Sequence, residues 1–470
     1  MKIEQIYTGC LAQGAYYIQC CGEAAIIDPL REVSPYLERA ERDGVKIKYI
    51  FETHFHADFV SGHVDLAEKT GAPIVYGPNA NPSFDAHIAK DGEEFKLGKV
   101  IIKALHTPGH TMESTTYLLI DKEGKEHAIF SGDTLFLGDV GRPDLAQKAA
   151  DMTQEDLAGL LYDSLRKKIM PLPDEVIVYP AHGAGSACGK NMMKETVDTL
   201  GNQKKMNYAL RADMTKDEFI KEVTDGLLPP PAYFPFNVKM NKEGYDSFDT
   251  VLEKGMHAFT PSEFELAVNE TGAVMLDVRH QNDFAKAHIP RSIFIGLNGG
   301  FAPWVGALIK DVKQPIILIT DESKVEEAIT RLSRVGFDNV IGYLKGGVDA
   351  WISDSREVDQ VISILASDLQ NVSLENPGAY IVDVRKVSEY LSEHIKGAEN
   401  APLSTLNDHL ASVPESDTFY VHCAGGYRSM IAASILKSRG IHNFIDVAGG
   451  FKAIKDTEIP VSDFVCPTTL

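Results

Sequence analysis

Five short runs carry residues able to do chemistry. THFHADFVSG, Thr53 to Gly62, sets His54, His56 and Asp58 close together, with Phe59 beside them. TPGHT supplies His110, SGDT supplies Asp133 and YPAHG supplies His182. Two neutral imidazoles and one carboxylate suit a mid-row divalent metal. The fifth run, CAGGYR, is Cys423, Ala424, Gly425, Gly426, Tyr427 and Arg428. Backbone N–H groups of such a loop, aided by a helix N-terminus, cradle an anion and favour a nucleophilic thiolate. Cys188, in HGAGSACGK, follows His182 by six residues with glycines around it. It is a candidate accessory thiol, against the rival reading of a buried inert cysteine.

The elements that must hold these groups are legible as alternating apolar runs and turns. AAIID, Ala24 to Asp28, reads as a strand, and YLERAERDG as a helix ending at Gly44. IKYIFETH reads as a buried strand running into the histidines, with Ser61 as cap of the next helix. AIFSGDTLF and VIVYPAHG read as two more strands. Their C-terminal ends are expected to meet that of the histidine strand on one sheet edge. Histidines at i and i+2 point to one side, so His54 and His56 are expected to share a pocket. FYVHCAGGYRSMIAASIL reads as strand, loop and helix, with Cys423 at the strand end and Ser429 as cap.

LLPPPAYFPFN, Leu227 to Asn237, marks a boundary, because three prolines favour an extended connector. Beyond it LDVRHQNDFAKAHIP, from Leu276, returns as VDVRKVSEYLSEHIK, from Val382, at an offset of 106 residues. The predicted domains are 1–240, 241–355 and 356–470. The repeated pair is expected to form α/β domains with mainly parallel sheets covered on both faces. In the first copy, PIILITDESKVEEA has no cysteine, no loop glycines and no closing arginine. Covalent chemistry there has no cysteine nucleophile.

With 470 residues, 46 basic against 67 acidic and a net charge of −21, nucleic acid and anionic membranes are poor partners. No stretch is long and apolar enough for a membrane span. The N-terminus lacks a signal-peptide core, and six scattered cysteines are too few for a disulfide scaffold, so a reducing cytoplasm is expected. Self-association into a homo-oligomer is left open.

The ordered set HxHxD, TPGHT, SGDT and YPAHG resembles the metallo-β-lactamase superfamily, which implies an αββα sandwich over roughly residues 1 to 240. The usual run is HxHxDH, whose last histidine joins the aspartate and the YPAH-type histidine at a second metal. Phe59 has no lone pair to donate, so one metal is expected rather than two. A single ion held by two histidines and an aspartate is the facial triad of non-haem Fe(II) oxygenases. The persulfide dioxygenases of this superfamily resemble that case. Carried over residue by residue, their ligands fall on His54, His110 and Asp133, with one Fe(II) per chain. His56, Asp58 and His182 are then polar neighbours. Zinc held by His54, His56 and His110 is the competitor. The resemblance also makes Arg142, in GRPDL, a candidate to hold the carboxylate of a thiol substrate, against a surface ion pair.

CAGGYR, the DVR triplet and Gly449–Gly450 resemble the rhodaneses, single-cysteine sulfurtransferases. Cysteine-based phosphatases use C-x5-R, whereas four residues separate Cys423 from Arg428; the tighter loop suits a sulfur atom. The order of the three parts resembles persulfide dioxygenase–rhodanese fusions. That resemblance implies oxidation of a thiol persulfide by O2 at the metal. Cys423 would exchange sulfane sulfur with sulfite or thiosulfate through a cysteine persulfide. The rivals are a zinc thioester hydrolase of glyoxalase II type with an accessory sulfurtransferase, and a non-catalytic sulfur carrier or sensor.

Overall fold

A computed structural model describes residues 1–147, 151–227 and 229–466. Two compact units divide the chain: Met1–Thr250 with Thr330–Phe337, and Val251–Ile329 with Asp338–Leu470.

In the first unit two six-stranded sheets lie face to face. One sheet runs β1 (Lys2–Thr8), β2 (Gln13–Cys20), β3 (Glu23–Ile27), β4 (Lys46–Phe51), β5 (Ile74–Tyr76) and β6 (His87–Ile88), in that order. Strands β1 to β3 are antiparallel, and β3 to β6 parallel. The other is formed by β7 (Glu94–Leu97), β8 (Val100–His106), β9 (Thr115–Ile120), β10 (Glu126–Gly132), β11 (Ile177–Pro180) and β12 (Asp198–Thr199). It is antiparallel except for the β10–β11 pair.

Strand alternation explains the layering. Tyr16, Ile18, Ile27 and Phe51 join Phe95, Ile102, Tyr117 and Phe130 in the core between the sheets. The intervening Tyr17, Ile26 and Ile50 face outward and bury Tyr36, Ala40 and Leu66 of the helices Ser34–Asp43 and His63–Thr70. Leu118, Ile129 and Val178 do the same for Leu157, Leu161 and Phe219 on the opposite outer face. The αββα sandwich expected from the sequence is thus present.

The second unit holds two five-stranded sheets of one design. The first combines β13 (Ala258–Phe259), β14 (Val274–Asp277), β15 (Ile293–Phe294), β16 (Ile316–Ile319) and β17 (Val340–Leu344) in the order β13-β17-β16-β14-β15. The second combines β18 (Ser363–Ile364), β19 (Tyr380–Asp383), β20 (Glu399–Asn400), β21 (Phe419–His422) and β22 (Phe444–Val447) in the order β18-β22-β21-β19-β20. Every pairing in both is parallel.

Local expectations are adjusted in several places. Ser61 is not the helix cap: Gly62 precedes the helix without a side-chain cap, and the Ser61 hydroxyl donates to the Pro29 carbonyl. Ser429 lies inside the first turn of the helix Tyr427–Ser438, whose cap is Gly426. The proline connector runs into the helix Phe234–Glu243; its Leu228 lies outside the described residues. No helix among the described residues is long and apolar enough to cross a membrane.

Candidate active sites

The metal candidates gather where β4, β10 and β11 end. These strands belong to both sheets, so the site sits at one edge of the sandwich rather than at the edge of one sheet. Asp133 directly follows β10, His182 lies two residues past β11, His54 follows β4, and His110 stands in the loop between β8 and β9. All four are buried.

Hydrogen bonds define the histidine tautomers. The Thr53 hydroxyl donates its single proton to Asp28 Oδ2 at 2.9 Å, so toward His54 Nδ1, at 3.0 Å, it can only accept. His54 therefore carries its proton on Nδ1 and a lone pair on Nε2. His110 Nδ1 donates to the Arg142 carbonyl at 2.8 Å, which leaves a second lone pair on Nε2. Burial, then neighbouring His56, pushes the His54 pKa well below the usual value and keeps the ring neutral. The two Nε2 atoms lie 3.8 and 3.5 Å from Asp133 Oδ2, a buried oxygen with no hydrogen-bond partner. Two ring nitrogens and a carboxylate oxygen converge there, an arrangement suited to holding a cation. His54, His110 and Asp133 thus form a candidate metal site whose donor set fits a divalent ion.

His56 faces elsewhere. Its Nε2 lies 3.1 Å from Asp28 and 3.7 Å from Glu52, although its ring stands only 4.2 Å from that of His54. The i, i+2 expectation thus holds for proximity but not for a shared ligand position. The chain leaves β4 at Phe51, before the histidines, so strand alternation no longer governs their directions. Phe59 is fully buried, 4.3 Å from the His56 ring and 6.5 Å from that of His182.

His182 bridges two carboxylates, with Nδ1 2.7 Å from Asp133 Oδ1 and Nε2 2.8 Å from Asp58 Oδ2. Burial opposes charging the ring, but Asp133 and Asp58 outweigh it and raise its pKa well above the usual value. Asp133 is also buried, yet His182 and His54 hold it below the ordinary carboxylate range. Cys188 completes a second close group with Asp58 and His182. Burial, then Asp58 and Asp133, drives its pKa up and keeps it a thiol. The Arg142 guanidinium is paired twice with Asp144 at 2.7 Å and donates to the Ala187 carbonyl. Its backbone carbonyl is what orients His110.

Three contributors escaped the sequence reading. Asp28 anchors Thr53 through the backbone N–H as well as the hydroxyl; a polar residue ending an apolar run was the available signal. Asn241 donates to the carbonyls of His56 and Phe59 and accepts from the Ser61 N–H, each at 2.8 Å. A residue so distant in sequence offered no signal. Glu389 is paired twice with Arg428, at 2.6 and 2.8 Å, so that guanidinium buttresses the loop from outside.

Cys423 follows β21 and is buried, with the Gly426 N–H donating to its sulfur at 3.1 Å. Gly426 has φ 99°, a left-handed conformation natural to glycine. A Cβ on Gly450 would strike the Cys423 carbonyl, so glycine there permits the close approach beneath the loop. The DVR arginines are clasps: Arg385 grips Asp383 and the Glu393 carbonyl, as Arg279 grips Asp277 and the Ala287 carbonyl. Strand register pairs Asp277 with Ile319 and Asp383 with His422, which puts Thr320 at the position of Cys423.

The metallo-beta-lactamase superfamily model matches residues 8–182, and the rhodanese-like domain model matches 260–354 and 365–457. Human mitochondrial persulfide dioxygenase is 30% identical over 222 residues, covering 47% of this chain and 78% of that one. A hydroxyacylglutathione hydrolase of Rhizobium etli is 38% identical over 164 residues, covering 34% and 57%. A solved metallo-beta-lactamase structure from Staphylococcus aureus matches with 31% identity and a TM-score of 0.65, over 73% of this chain and 98% of that one. The chain belongs to the metallo-β-lactamase superfamily, with persulfide dioxygenases among its homologues, and it carries two rhodanese-like domains behind the metallo-β-lactamase domain.

Proposed function

We propose that the chain is a persulfide dioxygenase with a built-in sulfurtransferase. One low-molecular-weight thiol persulfide, O2 and water give the thiol, sulfite and two protons. A single Fe(II) held by His54, His110 and Asp133 would supply open positions for the persulfide sulfur and O2. The observation that carries this reading is the convergence of two imidazole Nε2 atoms on the unpartnered Asp133 oxygen.

The protein's own groups then have definite tasks. Thr53 and the Arg142 carbonyl fix the two ligand tautomers. His182, held between Asp58 and Asp133, orients both carboxylates beside the metal position. Phe59 supports a mononuclear site by filling with carbon the position of a second-metal histidine. At the other centre the Cys423 thiolate attacks the outer sulfur of a persulfide and releases the thiol. Sulfite then takes that sulfur from the cysteine persulfide as thiosulfate and regenerates the thiolate. The Gly426 N–H would stabilise negative sulfur at both stages. Arg142, if released from Asp144, is the group to meet a substrate carboxylate. Six scattered cysteines fit a reducing cytoplasm.

The hydrolase relative gives one specific reason to keep the thioester reading. Oxygen uptake by iron-loaded protein, with persulfides of several thiols and with sulfite and thiosulfate quantified, decides between them. Persulfide-dependent O2 consumption with sulfite release is expected. Two zinc ions per chain and no such consumption would overturn the proposal in favour of thioester hydrolysis.

A further inference from the structure

The helix Tyr427–Ser438 begins at the Cys423 cradle, and its residues from Ser429 to Leu436 are all buried. A helix with apolar residues on every side needs cover on every side. Its own sheet covers part of it. The rest meets the cysteine-less copy and the segment joining the copies, through residues spaced i, i+7 and i+10. The Tyr427 hydroxyl donates to the Gly296 carbonyl at 2.6 Å. The Ser434 hydroxyl accepts from the Phe294 N–H at 3.0 Å. The Lys437 ammonium pairs with Asp359 at 2.9 Å. The first of these is at the sulfur site. Tyr427 directly follows Gly426, whose N–H points at the Cys423 sulfur. Its ring packs on Phe294, with centroids 5.9 Å apart, and lies so close to Gly299 that a Cβ there would come 2.4–2.6 Å from three of its ring carbons.

We infer that the cysteine-less copy is a working part of the sulfur-transfer site: its 294–299 segment latches Tyr427 and so holds the Gly426 N–H on the Cys423 sulfur. Tyr427 is then a positioning residue, and Gly296 and Gly299 are its seat. This gives a use to a domain that lacks a nucleophile, and explains why a tyrosine and a facing glycine stand at these points. The inference rests on the sulfurtransferase reading of Cys423.

Two substitutions in the full chain test it. Tyr427→Phe keeps the ring and removes only the donor to Gly296. Gly299→Ala leaves the cradle sequence untouched and displaces the ring. Alkylation of Cys423 by iodoacetamide is followed across pH by mass spectrometry of its peptide, beside thiosulfate-to-cyanide sulfur transfer. Both variants are expected to show a raised apparent thiol pKa and a kcat lowered about three- to tenfold, the scale of one hydrogen bond. KM should change little, and O2 uptake with persulfide should match the parent protein. Ser434→Ala, which loosens the same helix two turns away, serves as the structural control and should leave the alkylation profile in place. Parent-like profiles and kcat in both variants, or an equal shift in Ser434→Ala, would overturn the latch. A parent protein with neither low-pH alkylation nor sulfur transfer would instead sink the sulfurtransferase reading itself.

Discussion

His54 and His110 each turn Nε2 toward the site because an oxygen acceptor holds the proton on Nδ1. Their lone pairs need a cation, and so does Asp133. Asp133→Ala should therefore cut bound iron to below about a tenth of parent occupancy and persulfide-dependent O2 uptake at least ~100-fold, read by metal analysis and an oxygen electrode. Phe59→His should restore a donor next to Asp58 and His182 and raise the second-metal content; a parent protein already carrying two metals would contradict the role given to Phe59. Cys423→Ser should leave O2 uptake intact while sulfite accumulates in place of thiosulfate. Asp446 supplies a pH signature. Burial raises its carboxyl to about 6, one of its oxygens has no partner, and Ser363 donates to the other at 3.0 Å. The folded state thus binds more protons than the unfolded one between the ordinary carboxyl value of 3.8 and about 6. The associated stability is complete below that window and lost as pH rises through it. Asp446→Asn should flatten this loss, by up to about 3 kcal/mol, in thermal unfolding followed from pH 4 to 7.5.

At the scale of elements, the loop after β4 is held from outside the sandwich strands. Asn241, on the helix Phe234–Glu243, satisfies two loop carbonyls and one N–H in a buried setting. Truncation to alanine strands those three groups. Asn241→Ala should cost about 2–4 kcal/mol in denaturant unfolding and weaken iron retention, without removing any ligand. The two DVR clasps make a related point. The same bidentate pair recurs in a copy with a nucleophile and a copy without one. The triplet therefore marks the scaffold, and only the loop after β21 marks the chemistry.

Over the whole molecule, the proposed function has sulfite made at one centre and consumed at the other, and joining the two in one chain would raise the local concentration of that shared intermediate. An equimolar mixture of Asp133→Ala and Cys423→Ser proteins contains both activities on separate chains. In dilute solution it should convert persulfide to thiosulfate with more free sulfite escaping than the parent releases at equal O2 uptake. Equal sulfite escape would show that the linkage contributes nothing to transfer.

Much of this protein was legible from residue order alone. Apolar runs with turns at their ends define the strands, and polar residues at strand ends locate the metal candidates. The offset repeat reveals two domains of one design, and CAGGYR against TDESKV separates the cysteine-bearing copy from the cysteine-less one. These features are local, and local chemistry is what a sequence writes directly. Side-chain direction beyond a strand end is not local. His56 lies beside Asp28 and Arg428 pairs with Glu389 because the fold brings together groups distant in sequence. Only the tertiary structure decided those pairings. It alone seated Tyr427 on Gly296, since 131 residues separate a donor and acceptor that packing sets 2.6 Å apart.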